Sequence, residues 1–409
     1  MTNRFAELYA RGIIEASTPD CETYLKEDRP KFYLGVDPTG ESLHLGNLQG
    51  FVLAKWLENM GCDVTILIGG VTASVGDPSG KTSERVVLSN DQIAGNSFAI
   101  ERWIERFMGP SVRIVNNQEW FNKMNLTTYL RDVGRFFRMG PMLGKEWIRR
   151  RIQSDVGMSY TEFSYQLLQA YDFLYLFEEF GIRLQAGGSD QWGNITSGCE
   201  LIRKKTKESV HGFVWPLLTK EDGTKFGKSE SGAIWIDSSF LSPVDFYQEV
   251  VVLPDSVVIQ TLRSLTFLPL SEIESLKSSL SGRDLQHRLA EELTLLIHGE
   301  EGLQEAIAGR KVKTERDLFQ VHEDELEKAK TIALNKALII GKSWLSLCVE
   351  LGWLESKSFG RRLLVQGAVK INGKQIQDDN TLQETDLLKG RFVIFDLGKK
   401  NRFILKASS

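Results

Sequence analysis

The segment KFYLGVDPTGESLHLGNLQG, Lys31 to Gly50, constrains the fold more than any other part of the chain. Phe32 to Val36 is an apolar run of strand length, Asp37-Pro38-Thr39-Gly40 is turn chemistry, and Leu43 to Met60 carries apolar residues at helical spacing. Strand, loop and helix in that order predict one unit of a parallel α/β sheet, where backbone N–H groups at the helix start face an anionic ligand. His44, Gly46 and Asn47 fall in that first turn. A glycine there lets a flat or charged group approach the backbone, with a polar side chain on either side. Taken alone, an ordinary helix cap with an incidental histidine explains these residues equally well.

Further apolar runs at Val64–Ile68, Val112–Val115, Ile182–Leu184 and Phe213–Leu218 alternate with helical stretches. This predicts a mostly parallel, Rossmann-type α/β domain over residues 1–230. From Pro243 to about Lys330 the pattern turns amphipathic, with many charges and few strand signals, so residues 231–325 read as an α-helical domain. The highly charged Lys311–Lys330 leads toward a linker, expected at 326–341. From Lys342 an amphipathic helix (Ser343–Leu351), the run Gly360-Arg361-Arg362 and short strands around Asn372-Gly373 predict a small α+β domain over 342–409.

A chain of 409 residues exceeds what one hydrophobic core organises, in keeping with two or three domains. No apolar run approaches the roughly 18 residues needed to span a bilayer, and the N-terminus lacks a signal-peptide core. Cys21, Cys62, Cys199 and Cys348 are far apart, which predicts reduced thiols and neither a disulfide framework nor a zinc site. The net charge of −4 hides an asymmetry. Residues 342–409 hold 12 Lys/Arg against 7 Asp/Glu, net +5, which leaves 38 against 47, or −9, in the rest. A basic end on an acidic body suits a polyanion gripped at that end, although a solvated basic face has the same composition.

Two other segments carry chemistry. Thr219 to Ser229 reads TKEDGTKFGKS, a polar loop whose Lys225, Lys228 and Ser229 could clamp a polyphosphate or simply be solvated. Tyr165, Gln169 and Asp172 stand at i, i+4 and i+7, one face of a helix that is otherwise apolar through Phe163, Leu167, Phe173 and Leu174. A polar row in such company is expected to be enclosed, and it must then find partners. A ligand with an amine at one end and a hydroxyl at the other would supply them. Gly76-Asp77-Pro78-Ser79-Gly80-Lys81-Thr82 imitates a P-loop, but it has one residue too few and a proline among its donors. Asp77 reads better as a pocket residue.

Taken with HLGN, the KFGKS loop resembles the two signatures, usually written HIGH and KMSKS, of class I aminoacyl-tRNA synthetases. Over nearly its whole length the chain resembles the bacterial-type tyrosyl-tRNA synthetase family. The resemblance rests on YLGVDPTGESLHLGN, GDPSGK, TEFSYQLLQAYD, GGSDQWGNITSG, DGTKFGKS and RRLLVQGAVKING, the last similar to an S4 RNA-binding domain. It implies a cytoplasmic tyrosine–tRNA ligase that forms tyrosyl-adenylate from L-tyrosine and ATP with Mg²⁺, then esterifies the 3′ end of tRNA(Tyr). On this resemblance Tyr33 and Asp172 bind the phenol, Asp77, Tyr165 and Gln169 surround the ammonium group, and Gln191 lies near the carboxylate. Asp37 faces the nucleotide and the ammonium side, Gly46 admits the adenine, and His44, Asn47, Lys225, Lys228 and Ser229 serve the transition state. Asn47 replaces the second signature histidine, and Phe226-Gly227 replaces Met-Ser. The family also implies a homodimer through an insertion near residues 110–160 and no membrane contact. Arg149, Arg150 and Arg151 would face the tRNA acceptor arm, and Arg361, Arg362, Lys370 and Lys374 would grip RNA. Tryptophanyl-tRNA synthetases share the fold and both signatures, but Tyr33, Asp172 and the S4-like tail point away from them.

Overall fold

A computed structural model describes residues 3–79, 88–154, 157–218, 228–229, 232–314, 318, 321–329, 331–398 and 401–408. Two compact units emerge: Met1–Leu241 with Val251–Leu289, and Ser242–Val250 with Ala290–Ser409.

The first unit is built on six strands: β1 (Ala16–Ser17), β2 (Lys31–Val36), β3 (Asp63–Ile68), β4 (Arg113–Asn116), β5 (Leu184–Gly188) and β6 (His211–Trp215). Their order is β1-β6-β5-β2-β3-β4. The last five pair in parallel, while β1 adds antiparallel to β6. Each expected apolar run lies in or beside a strand. The run at Ile182–Leu184 only leads into β5, which continues through the less apolar Gln185 to Gly188. Chain order reverses between β2 and β5, so a topological switch point opens at their carboxyl ends, the place where such sheets bind ligands.

Helices cover the sheet: α1 (Leu45–Asn59), α2 (Gly70–Val75), α3 (Asn90–Met108), α4 (Glu146–Ile152), α5 (Tyr160–Phe180), α6 (Trp192–Thr206) and α7 (Asp255–Leu265). Helix α1 buries Leu45, Leu48, Phe51, Val52, Leu53 and Leu57, each large side chain contributing about 1.5–3 kcal/mol. Helix α5 starts at a capping box between Ser159 and Glu162 and ends at Gly181, whose φ of 66° suits glycine. Beyond β6, Lys228–Ser229 (β7) pairs antiparallel with Gly232–Ala233 (β8).

The stretch 231–325 is mainly helical, as expected, but its helices are shared between the units. Residues 251–289 belong to the first unit, where the indole of Trp56 donates to Thr266 O at 3.2 Å and the buried Arg11 donates to Arg263 O and Leu268 O. Helix α8 (Gly282–Thr314) breaks at Gly299, and from Ala290 onward it belongs to the second unit.

In that unit five strands form a sheet in the order β11-β10-β12-β13-β9. They are β9 (Thr331–Asn335), β10 (Val369–Ile371), β11 (Lys374–Gln375), β12 (Phe392–Leu397) and β13 (Asn401–Ser408). Helices α9 (Trp344–Glu350) and α10 (Lys357–Val365) accompany it. Their shared core holds Trp344, Leu345, Leu347, Val369, Val393 and Phe395. The expectation of a linker at 326–341 is corrected: β9 lies within it and pairs in parallel with β13, Thr331 opposite Ile404. A second apolar cluster joins Ala308 and Val312 to Phe392, Ile394 and Ile404. Asn372 and Gly373, at φ 51° and 80°, make the tight turn between β10 and β11.

Candidate functional site

Two cavities, of about 620 Å³ and 240 Å³, open at the switch point and share Asp37, Asn47, Asp77 and Gln191 in their walls. The larger is lined by His44, Gly46, Ser79, Asp190, Trp215, Ala233 and Trp235. His44 caps α1, and its backbone N–H donates to Asn47 Oδ1 at 3.1 Å. The next N–H, of Leu45, donates to Ile234 O at 2.8 Å, and Ile236 N–H donates to Leu43 O at 3.1 Å. The chain just after the second signature is therefore stitched to the start of the first. Lys225 lies outside the described residues, as do Gly80, Lys81 and Thr82. Lys228 and Ser229 are placed by their backbone alone, in β7.

The smaller cavity takes its polar wall from α5. Tyr165, Gln169 and Asp172 all line it, with Tyr33 and Gln185 on the floor. Asp172 is fully buried and accepts from Trp120 Nε1 at 2.8 Å and Asn117 Nδ2 at 3.2 Å. Burial pushes its carboxyl well above the usual carboxylate range, against the pull of those two donors. Burial, and then the nearby Asp172, push the Tyr33 hydroxyl up as well. That hydroxyl has no hydrogen-bond partner among the described residues. At this end of the pocket an acceptor and an unsatisfied hydroxyl face the same space.

The other end is a cluster of acceptors. Asp37 accepts from Tyr165 Oη at 2.7 Å and from Thr72 Oγ1 at 2.7 Å. Gly69 makes this possible, because a Cβ there would lie 2.0 Å from Asp37 Oδ1 and 2.2 Å from Thr72 Oγ1. Asp77 accepts from Gln191 Nε2 at 2.6 Å and from Ser79 N–H at 3.0 Å, a bond that closes a turn over Asp77-Pro78-Ser79. Burial raises the Asp77 carboxyl, and these donors oppose the shift. Asn194 Nδ2 reaches Gln169 Oε1 at 3.0 Å, and Ser79 Oγ and Gln191 Oε1 at 3.2 Å. With Asp77 Oδ1 at 3.5 Å as a fourth, its two hydrogens are shared among four acceptors, so acceptor capacity is left over for an incoming cation. Gln191, expected beside a carboxylate, is hydrogen-bonded here to Asp77 and Asn194.

Thr72, Asn117, Trp120, Asn194, Gln185 and Asp190 were not singled out from the sequence, though Asp190 and Asn194 sit inside GGSDQWGNITSG. Among the described residues no group of His, Cys, Asp or Glu is arranged to hold a metal. No described helix is long and apolar enough to cross a membrane.

One expectation is overturned. Arg151 does not face solvent with Arg149 and Arg150, since it is only 4% exposed and pairs with Glu162 at 3.2 Å. It lies three residues after the buried Ile148 on a single short helix, so it shares the inward face. At the other end of α4, Lys145 donates to Gln166 Oε1, Gly193 O and Ser197 Oγ at 2.8–2.9 Å, and burial pushes its pKa down to about 8. Arg149, Arg150, Arg361, Arg362, Lys370 and Lys374 are all exposed.

The parallel sheet, the cavities at its switch point and the first signature at their rim, tied there to the chain that follows the second, fit a class I aminoacyl-tRNA synthetase. The profile of tRNA synthetases class I (W and Y) matches residues 25–314, and that of the tyrosine–tRNA ligase SYY-like C-terminal domain matches 328–405. A chloroplastic/mitochondrial tyrosine–tRNA ligase of Arabidopsis thaliana is 44% identical, covering 98% of this chain and 83% of that protein. A tyrosine–tRNA ligase of Protochlamydia amoebophila is 41% identical over 99% of both. The crystal structure of a C-terminally truncated mitochondrial tyrosyl-tRNA synthetase from Aspergillus nidulans superposes with a TM-score of 0.67 at 32% identity, covering 76% of this chain and 94% of that one. The chain belongs to the tyrosyl-tRNA synthetase family.

Proposed function

We propose that the chain activates L-tyrosine with ATP, Mg²⁺ arriving on the nucleotide, and transfers it to the 3′ end of tRNA(Tyr). One observation carries the amino-acid choice: the small cavity has a phenol-sized polar end at Tyr33 and Asp172, and an ammonium-seeking end at Asp37, Asp77 and Gln169. Phenylalanine would leave the first end unpaired, and an unpaired buried polar group costs about 1–3 kcal/mol. In the first step a tyrosine carboxylate oxygen bonds to the α-phosphorus and pyrophosphate leaves. The carboxylate is already ionised, so no proton needs to move. Catalysis then rests on alignment and on stabilising charge, the task we assign to His44, Lys225 and Lys228, with Asn47 fixing the helix start. Ser229 completes the loop, and Gly46 lets adenine lie against the first turn of α1. In the second step a ribose hydroxyl of the tRNA attacks the acyl carbon and AMP departs.

Tyrosine-dependent pyrophosphate exchange, run with each amino acid in turn, tests this reading. Exchange with tyrosine alone is expected, and exchange driven by tryptophan or by none would end it. Lys228→Ala is expected to slow adenylate formation about 100-fold while tyrosine affinity changes less than about threefold. Equal losses in rate and affinity would remove Lys228 from the transition state.

Several finer readings belong to the same proposal. The exposed Leu126, Leu130, Met139, Leu143, Ile152 and Tyr160 concentrate apolar surface within 126–160, which supports a homodimer through this region. Arg149 and Arg150 on the catalytic part, and Arg361, Arg362, Lys370 and Lys374 on the tail, are the cations offered to tRNA; Arg151 is withdrawn. Catalytic residues 1–230 and an RNA-gripping tail remain our division, with the tail beginning at β9. Four unpaired cysteines favour a reducing cytoplasm.

A further inference from the structure

Two short antiparallel pairings meet at Trp235. Ala233, two residues before it, lies opposite Lys228 in the β7–β8 hairpin. Trp235 itself lies opposite His44, in a bridge flanked by the bonds from Leu45 N–H to Ile234 O and from Ile236 N–H to Leu43 O. With hydrogen bonds on either side and none within it, this is the narrow kind of antiparallel pair, whose side chains stand close on one face. The rings meet accordingly: the indole and imidazole centroids are 6.4 Å apart at an interplanar angle of 48°. Phe240 packs on the same indole, 5.9 Å between centroids. A Cβ on Gly40 would lie 3.8 Å from Trp235 Cη2, so the indole also abuts the loop that follows β2. His44 and Trp235 are both half-buried, and both line the larger cavity. The indole thus sits between the signature histidine, the loop after β2 and the strand that leads back to Lys228.

We propose that Trp235 is a positioning residue for adenylate formation. It limits the side-chain torsions of His44 and keeps the imidazole in register with the hairpin that carries Lys228. A half-buried ring at a cavity rim can rotate between staggered positions, and a charge-stabilising group counts only where the charge develops. Trp235 acts through His44 and touches no reacting atom. The proposal rests on the tyrosine-activating reading above, in which His44 stabilises the transition state.

A double-mutant cycle in pyrophosphate exchange with the full-length protein tests it. Trp235→Ala is expected to lower kcat about thirtyfold, with KM for ATP and the dissociation constant for tyrosine each changed less than about threefold. In the His44→Ala background the same change is expected to lower kcat less than about twofold, because the group it orients has gone. Trp235→Phe keeps a ring beside the imidazole and is expected to lose only about threefold. Similar losses from Trp235→Ala in both backgrounds would overturn the proposal. So would an unchanged kcat, whether or not KM for ATP rises, or a loss of tyrosine affinity as large as the loss in kcat. Trp235→Leu enters the same cycle if circular dichroism shows that the alanine variant does not fold. Absence of tyrosine exchange in the unaltered protein would strike the tyrosine reading, whereas normal exchange with independent losses would strike only Trp235.

Discussion

Asp172→Ala is expected to lower kcat/KM for tyrosine by about a thousandfold while changing that for phenylalanine little, so that the discrimination between them collapses. The substrate loses a hydrogen bond to a buried carboxyl group, and the donors left behind go unpaired. A buried hydrogen bond contributes about 0.5–1.5 kcal/mol and an orphaned buried donor costs about 1–3 kcal/mol, together reaching about the 4 kcal/mol that a thousandfold requires. Phenylalanine never used that acceptor, so its binding has little to lose. The pocket should outlast the change. Asn117 keeps its bonds to Thr72 Oγ1 and Val71 N–H, and Trp120 stays stacked on Tyr175 at 4.3 Å between ring centroids. Asp172→Asn, which retains one acceptor oxygen, should fall between the two. Pyrophosphate exchange at saturating ATP, with each amino acid titrated separately, gives both constants. A tyrosine-to-phenylalanine ratio that stays put would mean that Asp172 does not read the phenol.

The polar row on α5 was legible because helical spacing alone puts Tyr165, Gln169 and Asp172 on one face, and their apolar neighbours announce that the face is enclosed. The groups that hold the row in place were not. Asn117 and Trp120 follow β4 and meet Asp172 across more than fifty positions of chain, a proximity set by strand order rather than by any local period. Thr72 is similar, since its hydroxyl matters only because Gly69 lets Asp37 come close. Arg151 misled for the opposite reason. Three arginines in a row suggest solvent, but three consecutive residues span about 200° of a helix, so the two-turn α4 turns one of them inward, and Glu162, the box partner of Ser159, was there to receive it. Likewise β9 gave no strand signal. Thr331 to Asn335 is short and half-exposed, and it is recruited in parallel by the last strand of the chain with no turn between them to announce the pairing.

That strand changes where the chain should be cut. Removal of everything after Ala329 is expected to abolish aminoacylation, with a loss greater than about a thousandfold, while adenylate formation stays within about threefold of the full chain. The reason is a division of labour by charge and place. The residues assigned to the first step all precede Gly232, whereas Arg361, Arg362, Lys370 and Lys374 lie on α10, β10 and β11. Phosphate neutralisation by these lysines and arginines supplies most of the attraction for a polyanion, and it weakens steeply with salt. A cut at 335 would be a poorer experiment, because it leaves β9 attached after its partner β13 has gone and so exposes an unpaired strand edge. Even the earlier cut uncovers Ala308, Val312, Leu326 and Ala329, which rest against Leu388, Phe392, Ile394 and Ile404 in the intact unit. Reduced solubility is therefore expected and is separate from activity; active-site titration with radiolabelled tyrosine counts competent sites whatever the yield. Point changes decide the matter if the fragment precipitates. Arg361→Glu together with Lys374→Glu should lower charging of tRNA and flatten its salt dependence while exchange is retained. Parallel loss of both steps in that variant would show that the tail works through the catalytic unit and not through the RNA.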